Sequence, residues 1–173
     1  MNFSTIPFAI DTWTVIRLPQ DVSDQLSSRG MGMATVTIGA QSYMVALEPD
    51  GRGSHWFRVT NDMPANAGES VDIQLQSLKV WTRPEVPSDL AKAFASNPAA
   101  NDLWNKITVK AQWEWIRWIR ATHVAATRAK RIDVACSKLN KGMRRPCCFN
   151  SSACSEPAVA HNWMLREPAT VSL

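Results

Sequence analysis

Residues 104–132 read WNKITVKAQWEWIRWIRATHVAATRAKRI and hold four of the chain's eight tryptophans together with much of its basic charge. Apolar residues recur there every three to four positions, the spacing of an amphipathic helix. Thr108 can cap a helix running from Val109 to about Thr122. A second segment runs from about Ala125 to Leu139, and Gly142 is placed to stop it. At about 100° per residue, Ala111, Trp115, Trp118, Ile119 and Thr122 share one broad face of the first helix, which predicts its packing stripe. Lys110, Trp113, Arg117 and Arg120 fall on the opposite face. In the second helix the stripe is Arg128, Ile132, Ala135, Cys136 and Leu139, which puts Arg128 on the apolar side, where a guanidinium needs a partner.

Moving toward the amino terminus, Asn97-Pro98 is a cap followed by proline at the first helical position. Ser88, after Pro87, is expected to cap a helix that holds Leu90, Ala91 and Phe94. Before Pro87 the period falls to two. Val71, Ile73 and Leu75 alternate with polar residues, and Met33 to Ile38 and Ser42 to Leu47 flank Gly39-Ala40-Gln41 as a hairpin. Phe3 to Ile10, Thr12 to Leu18 and His55 to Val59 add further strands, with a turn at Pro49-Asp50-Gly51-Arg52-Gly53. Six or so short strands at these spacings predict a small barrel or sandwich, so the fold class is α+β. The expected organisation is a β domain over residues 1–87, a helical domain over 88–142, and an extended tail over 143–173 that carries Pro146, Pro157 and Pro168.

Charge is divided as unevenly as periodicity. Residues 1–90 carry 6 Lys/Arg against 10 Asp/Glu, and the remainder carries 13 against 5, so an acidic half precedes a basic one. That polarity suits either an acidic partner at one end or the docking of one half on the other. No apolar run approaches the roughly 20 residues of a spanning helix, and Met1-Asn2-Phe3-Ser4-Thr5 lacks the basic and apolar regions of a signal peptide. The expectation is a cytoplasmic protein with no membrane partner and with reduced thiols at Cys136, Cys147, Cys148 and Cys154.

Several short motifs occur in a fixed order: Val15-Ile16-Arg17-Leu18-Pro19, the Thr35 to Leu47 hairpin, Gly53-Ser54-His55, and Gly68-Glu69-Ser70-Val71-Asp72-Ile73. Val86-Pro87-Ser88-Asp89-Leu90-Ala91-Lys92-Ala93, Trp118-Ile119-Arg120-Ala121, Thr127-Arg128-Ala129-Lys130-Arg131-Ile132 and Leu139-Asn140-Lys141-Gly142 follow. Taken together they resemble a bacterial two-part family, in which a domain of unknown function precedes a YdeI or OmpD-associated helical domain. The resemblance covers most of residues 3–142. It implies a split β-barrel followed by helices and a loose association with bacteriocin protection or outer-membrane protein regulation, with no catalytic residues to carry over. Asn61-Asp62-Met63-Pro64 departs from the family pattern in lacking basic residues, and Gly68-Glu69 replaces its Gly-Asp.

Chemistry-bearing residues are few. An indole among cations, as at Trp113 with Lys110, Arg117 and Arg120, is a combination that stacks an aromatic ligand while neutralising an anion. Trp113 equally suits a packing role with arginine stems over it. Arg128 and Arg131 could floor an anion site. The preferred expectation for Arg128 is a clamp on helix-terminal carbonyls or on a carboxylate such as Glu114 or one from the barrel. Cys147, Cys148, Cys154 and His161 are weak metal candidates, because adjacent cysteines chelate awkwardly and no C-x-x-C pair is present. There is no G-x-S-x-G elbow or phosphate loop, and His55, His123 and His161 are scattered and expected to be structural. The sequence therefore points to a non-enzymatic binding or stress-related accessory protein without a cofactor. Its expected ligand is an anionic small molecule or peptide, held in a groove between barrel and helices. The alternative is a nucleic-acid binder using the basic Trp/Arg face, and either form could pair as a homodimer.

Overall fold

The computed structural model describes residues 1–168; the last five residues of the expected 143–173 tail lie outside the described part. Nine strands and five helices follow in order. They are β1 (Asn2–Thr5), β2 (Phe8–Ile10), β3 (Trp13–Arg17), α1 (Gln20–Ser23), β4 (Gly32–Ile38), β5 (Gln41–Pro49), β6 (His55–Val59) and β7 (Val71–Leu78), then α2 (Ser88–Ala95), α3 (Pro98–Lys106), α4 (Val109–Arg120), α5 (Ala125–Asn140), β8 (Ala160–His161) and β9 (Met164–Leu165). The α+β expectation holds. Two compact units form among the described residues: 1–80 with 151–154 and 158–168, and 81–150 with 155–157.

In the first unit seven strands make one antiparallel sheet in the order β1-β7-β4-β5-β6-β3-β2. The stretch from Phe3 to Ile10, expected as one strand, is broken at Ile6-Pro7 because proline cannot donate to a ladder. Its two pieces end on opposite edges of the sheet: β1 pairs with β7 and β2 with β3. Laid flat, the outermost of seven strands would stand about 29 Å apart. The three-residue step from Thr5 to Phe8 spans at most about 11 Å, so the sheet must curl on itself into a half-barrel. The corner is in β5, whose Gln41–Leu47 stretch pairs with β4 while Glu48 and Pro49 pair with β6.

Period-two alternation sends Ala34, Val36 and Ile38 of β4, Val45 and Leu47 of β5, and Ile73 and Leu75 of β7 into one core with Ile16, Leu18 and Phe57. Such side chains contribute about 1.5–3 kcal/mol each when fully buried. On β3 and β6 the alternation is lost, because Val15 and Ile16, and likewise Trp56 and Phe57, are all buried. The second face of these strands forms a separate cluster in which Ile10, Val15 and Trp56 pack with Cys154, Val159 and Leu165 of the tail. Residues expected to be extended thus return as the β8–β9 hairpin. Leu165 N donates to Asp50 O, and Cys154 N to Trp163 O. Gly51 makes this docking feasible: its φ is +78°, and a Cβ there would lie 2.2 Å from the Trp163 carbonyl oxygen.

The second unit is built on the Trp104 to Ile132 stretch. Leu90 and Phe94 of α2, Ala100 and Trp104 of α3, Ala111, Trp115, Ile116 and Ile119 of α4, and Ile132, Ala135, Cys136 and Leu139 of α5 share its core. Thr108 Oγ1 accepts from Ala111 N at 3.1 Å, as its cap role requires. α5 ends in a Schellman motif, with Gly142 N donating to Leu139 O and Met143 N to Lys138 O, and Gly142 at φ +85°. Ser88 does not cap α2. Pro87 takes the cap position, Ser88 is already helical, and the carboxylate of Asp89 accepts from Leu90 N in the first turn.

Candidate functional site

The cations of α4 and α5 are the sequence-predicted site, and each of its arginines meets protein groups. Arg128 reaches Asp89 with two donors, Nε to Oδ2 at 2.7 Å and Nη2 to Oδ1 at 3.0 Å. The Arg128 hydrogen bond, with its charge and the Leu90 amide adding to it against partial burial, holds the Asp89 carboxyl below its ordinary range. The clamp expected at Arg128 therefore exists, but its carboxylate is Asp89 of α2 rather than Glu114 or a barrel residue. Helix-terminal carbonyls are held instead by Arg131, whose Nη1 donates to Trp118 O at 2.7 Å and Ala121 O at 2.9 Å at the end of α4. The same guanidinium lies 5.5 Å from the Trp118 ring centroid.

Arg117 departs most from the helical projection. It is only 1% exposed although it was expected opposite the packing stripe. Residues 143–150 run along α4: Trp115 Nε1 donates to Arg144 O at 3.1 Å, Arg145 pairs with Glu114 at 3.4 Å, and the Phe149 ring lies 5.1 Å from the Arg117 guanidinium. Arg120 is held by the same segment a few residues on. Its Nη2 lies 3.3 Å from Ser155 Oγ and its Nη1 3.6 Å from Glu156 Oε2. The four expected ligand arginines are thus spread over separate structural tasks.

Trp113 sits elsewhere. Its Nε1 donates to Thr82 O at 2.8 Å, and one turn earlier the Lys110 ammonium lies 5.7 Å from the Trp81 ring centroid. These two contacts pin residues 81 and 82 along the first turns of α4. They bring together the partly exposed indoles Trp81 and Trp113 and the exposed Lys110, and the exposed Arg83 follows Thr82 in the chain. The projection identified Lys110 and Trp113 as sharing a face. It could not supply Trp81 and Arg83, which lie in the connection before α2; an isolated tryptophan in a stretch without periodicity was the available signal.

The metal candidates do not form one set. Cys154 is buried in the apolar cluster of the first unit, and His161 is exposed in β8. The Cys147 and Cys148 sulfurs lie 3.0 Å apart and exposed. Among the described residues, no three His, Cys, Asp or Glu side chains converge as ligands. His55 is 1% exposed, and its Nδ1 accepts from Ser23 Oγ at 2.8 Å while Nε2 faces Gly30 O at 2.9 Å, which ties α1 to β6. A shallow open depression of about 490 Å³ lies over β1, β7 and β4. It is lined by Asn2, Ser4, Thr37, Asp72 and Gln74, with Ser4 Oγ 2.5 Å from Asp72 Oδ1. No helix among the described residues is long and apolar enough to cross a membrane.

Comparison with known families agrees with this division. Residues 6–76 match the domain of unknown function DUF1905, and residues 83–142 match the family described as bacteriocin-protection, YdeI or OmpD-associated. No curated protein matches the chain significantly. With a curled half-barrel under the first match and the helical unit under the second, the chain belongs to the bacterial two-domain family that joins DUF1905 to a YdeI/OmpD-associated domain.

Proposed function

We propose that this protein is a non-enzymatic accessory protein that binds an acidic peptide or small organic anion on the Trp81, Arg83, Lys110 and Trp113 surface of its helical unit. The observation that carries the proposal is the pinning of residues 81 and 82 onto α4, which sets two indoles beside the exposed Lys110, with the exposed Arg83 next in the chain. Carboxylates suit the cations, and the indole faces suit the apolar or planar remainder of a ligand. The helical unit has 13 Lys/Arg against 6 Asp/Glu, and this excess would draw an anion toward it. The matched family's description suggests a role in protection against bacteriocins. We place that role in the cytoplasm, supported by four cysteines that all stand as thiols.

A direct test is fluorescence titration of the full chain with a Glu/Asp-rich peptide and, separately, with a single-stranded oligonucleotide of equal charge. Peptide binding is expected to weaken about tenfold in Lys110→Glu, equivalent to about 1.4 kcal/mol, with thermal unfolding shifted only slightly because the exposed contact to Trp81 contributes little. A flat titration with the peptide would overturn the proposal. Tighter binding of the oligonucleotide, falling steeply between low and moderate salt, would replace it with the nucleic-acid alternative.

A further inference from the structure

The adjacent cysteines in the segment over α4 are absorbed neither by the core nor by the ligand surface. We propose that Cys147 and Cys148 form a hydroperoxide-responsive dithiol that closes reversibly to a disulfide between neighbouring residues. Their sulfurs already stand 3.0 Å apart, about 1 Å beyond a bond. Both thiols are exposed, whereas Cys136 and Cys154 are 3% and 1% exposed, so oxidant reaches this pair first. Cys148 holds a φ of +60°, unusual for a residue with a side chain, and this places the backbone in a tight turn at the pair. The hydrogen bond shared with Cys147 pushes the Cys148 thiol up, and the Lys138 ammonium opposes that shift.

The chemistry balances with hydrogen peroxide as the oxidant. One thiolate attacks an oxygen of the peroxide, the O–O bond breaks, and a sulfenic acid and hydroxide form. The neighbouring thiol then attacks the sulfenic sulfur, forming the S–S bond as its proton leaves with the hydroxyl as water. Adjacent Cα atoms lie about 3.8 Å apart, shorter than the usual 4.4–6.8 Å of a disulfide, so the ring is strained and readily reduced. The pair is flanked by latches: Arg144 O on Trp115, Arg145 on Glu114, and Phe149 on Arg117. Closing the ring resets the turn between them and so changes how Phe149 covers Arg117.

The test uses reduced full-length protein, near-equimolar hydrogen peroxide, and mass analysis of the chymotryptic peptide ending at Phe149, which carries the pair without Cys154. The expected product has lost two exposed thiols and about 2 Da, remains a single chain on a non-reducing gel, and is restored by dithiothreitol. Cys147→Ser and Cys148→Ser, each lacking the resolving partner, are expected under the same treatment to gain one oxygen, about 16 Da, as a sulfenic acid trapped by dimedone, instead of losing about 2 Da. Oxygen added to both cysteines of the wild type, linkage between chains, or single variants behaving as the wild type would each overturn the proposal.

Discussion

Two lengths of the carboxyl-terminal segment cover two different kinds of surface. In the barrel unit, Cys154, Val159 and Leu165 complete an apolar cluster with Ile10, Val15 and Trp56, and nearly every atom involved is hydrocarbon or ring. In the helical unit, residues 143–150 cover α4 through contacts that include an indole hydrogen bond, an ion pair and a cation–π contact at the buried Arg117. The first kind of cover scales with area and responds little to salt. The second rests on a few directional contacts, each worth about 1 kcal/mol, and it is the one that can be adjusted by local chemistry.

Truncating the apolar cover is expected to have the largest effect. Leu165→Ala removes a fully buried side chain and should cost about 2–5 kcal/mol in denaturant unfolding; a loss under about 1 kcal/mol would mean the hairpin is not integral to the barrel unit. Gly51→Ala combines a positive φ with a carbonyl 2.2 Å from the new Cβ, and is expected to destabilise by about 1–3 kcal/mol. Because the strain lies where β9 docks, hydrogen exchange at Leu165 should accelerate more than exchange in β4.

Contacts on the helical side should give smaller numbers. Phe149→Leu keeps bulk but removes the ring from Arg117, and should cost about 0.5–2 kcal/mol, measurable as a shift in thermal midpoint. Arg128→Ala breaks a two-donor pair whose side chains are 27% and 43% exposed, so solvent screening limits its contribution to about 1 kcal/mol. Its pH dependence has a definite sign. Asp89 is depressed in the folded state, so the stabilisation is fully present above the unfolded value near 3.8 and is lost as pH falls through the lower folded value. The difference between wild type and Arg128→Ala should therefore persist from neutrality to about pH 5 and vanish in stronger acid.

Elements governed by local signals are legible in the sequence. The alternation of Val71, Ile73 and Leu75, the hairpin at Gly39, the Thr108 cap and the Gly142 stop all depend on residues within one turn or one strand. The order of motifs gave the family for the same reason. What escaped was long-range. Pro7 divides one apparent strand between two sheet edges, and nothing near Arg117 shows that Phe149 will return to cover it. A helical projection sorts faces by residue type, and it therefore assigns to solvent any cation that a distant segment later buries. Half of the candidate surface was readable, since Lys110 and Trp113 lie one turn apart on α4. Trp81 and Arg83 join them through a backbone contact at Thr82 that no periodicity encodes.

The central claim is that the arginines of α4 and α5 hold the helical unit together, while ligand-competent charge lies at Lys110 and Arg83. Measuring thermal unfolding and acidic-peptide affinity together in Arg128→Ala and Lys110→Glu tests it most directly. The account predicts a lowered midpoint with unchanged affinity in Arg128→Ala, and a midpoint shifted less than in Arg128→Ala with weakened affinity in Lys110→Glu. Arg128→Ala that unfolds like the wild type yet no longer binds the peptide would contradict it.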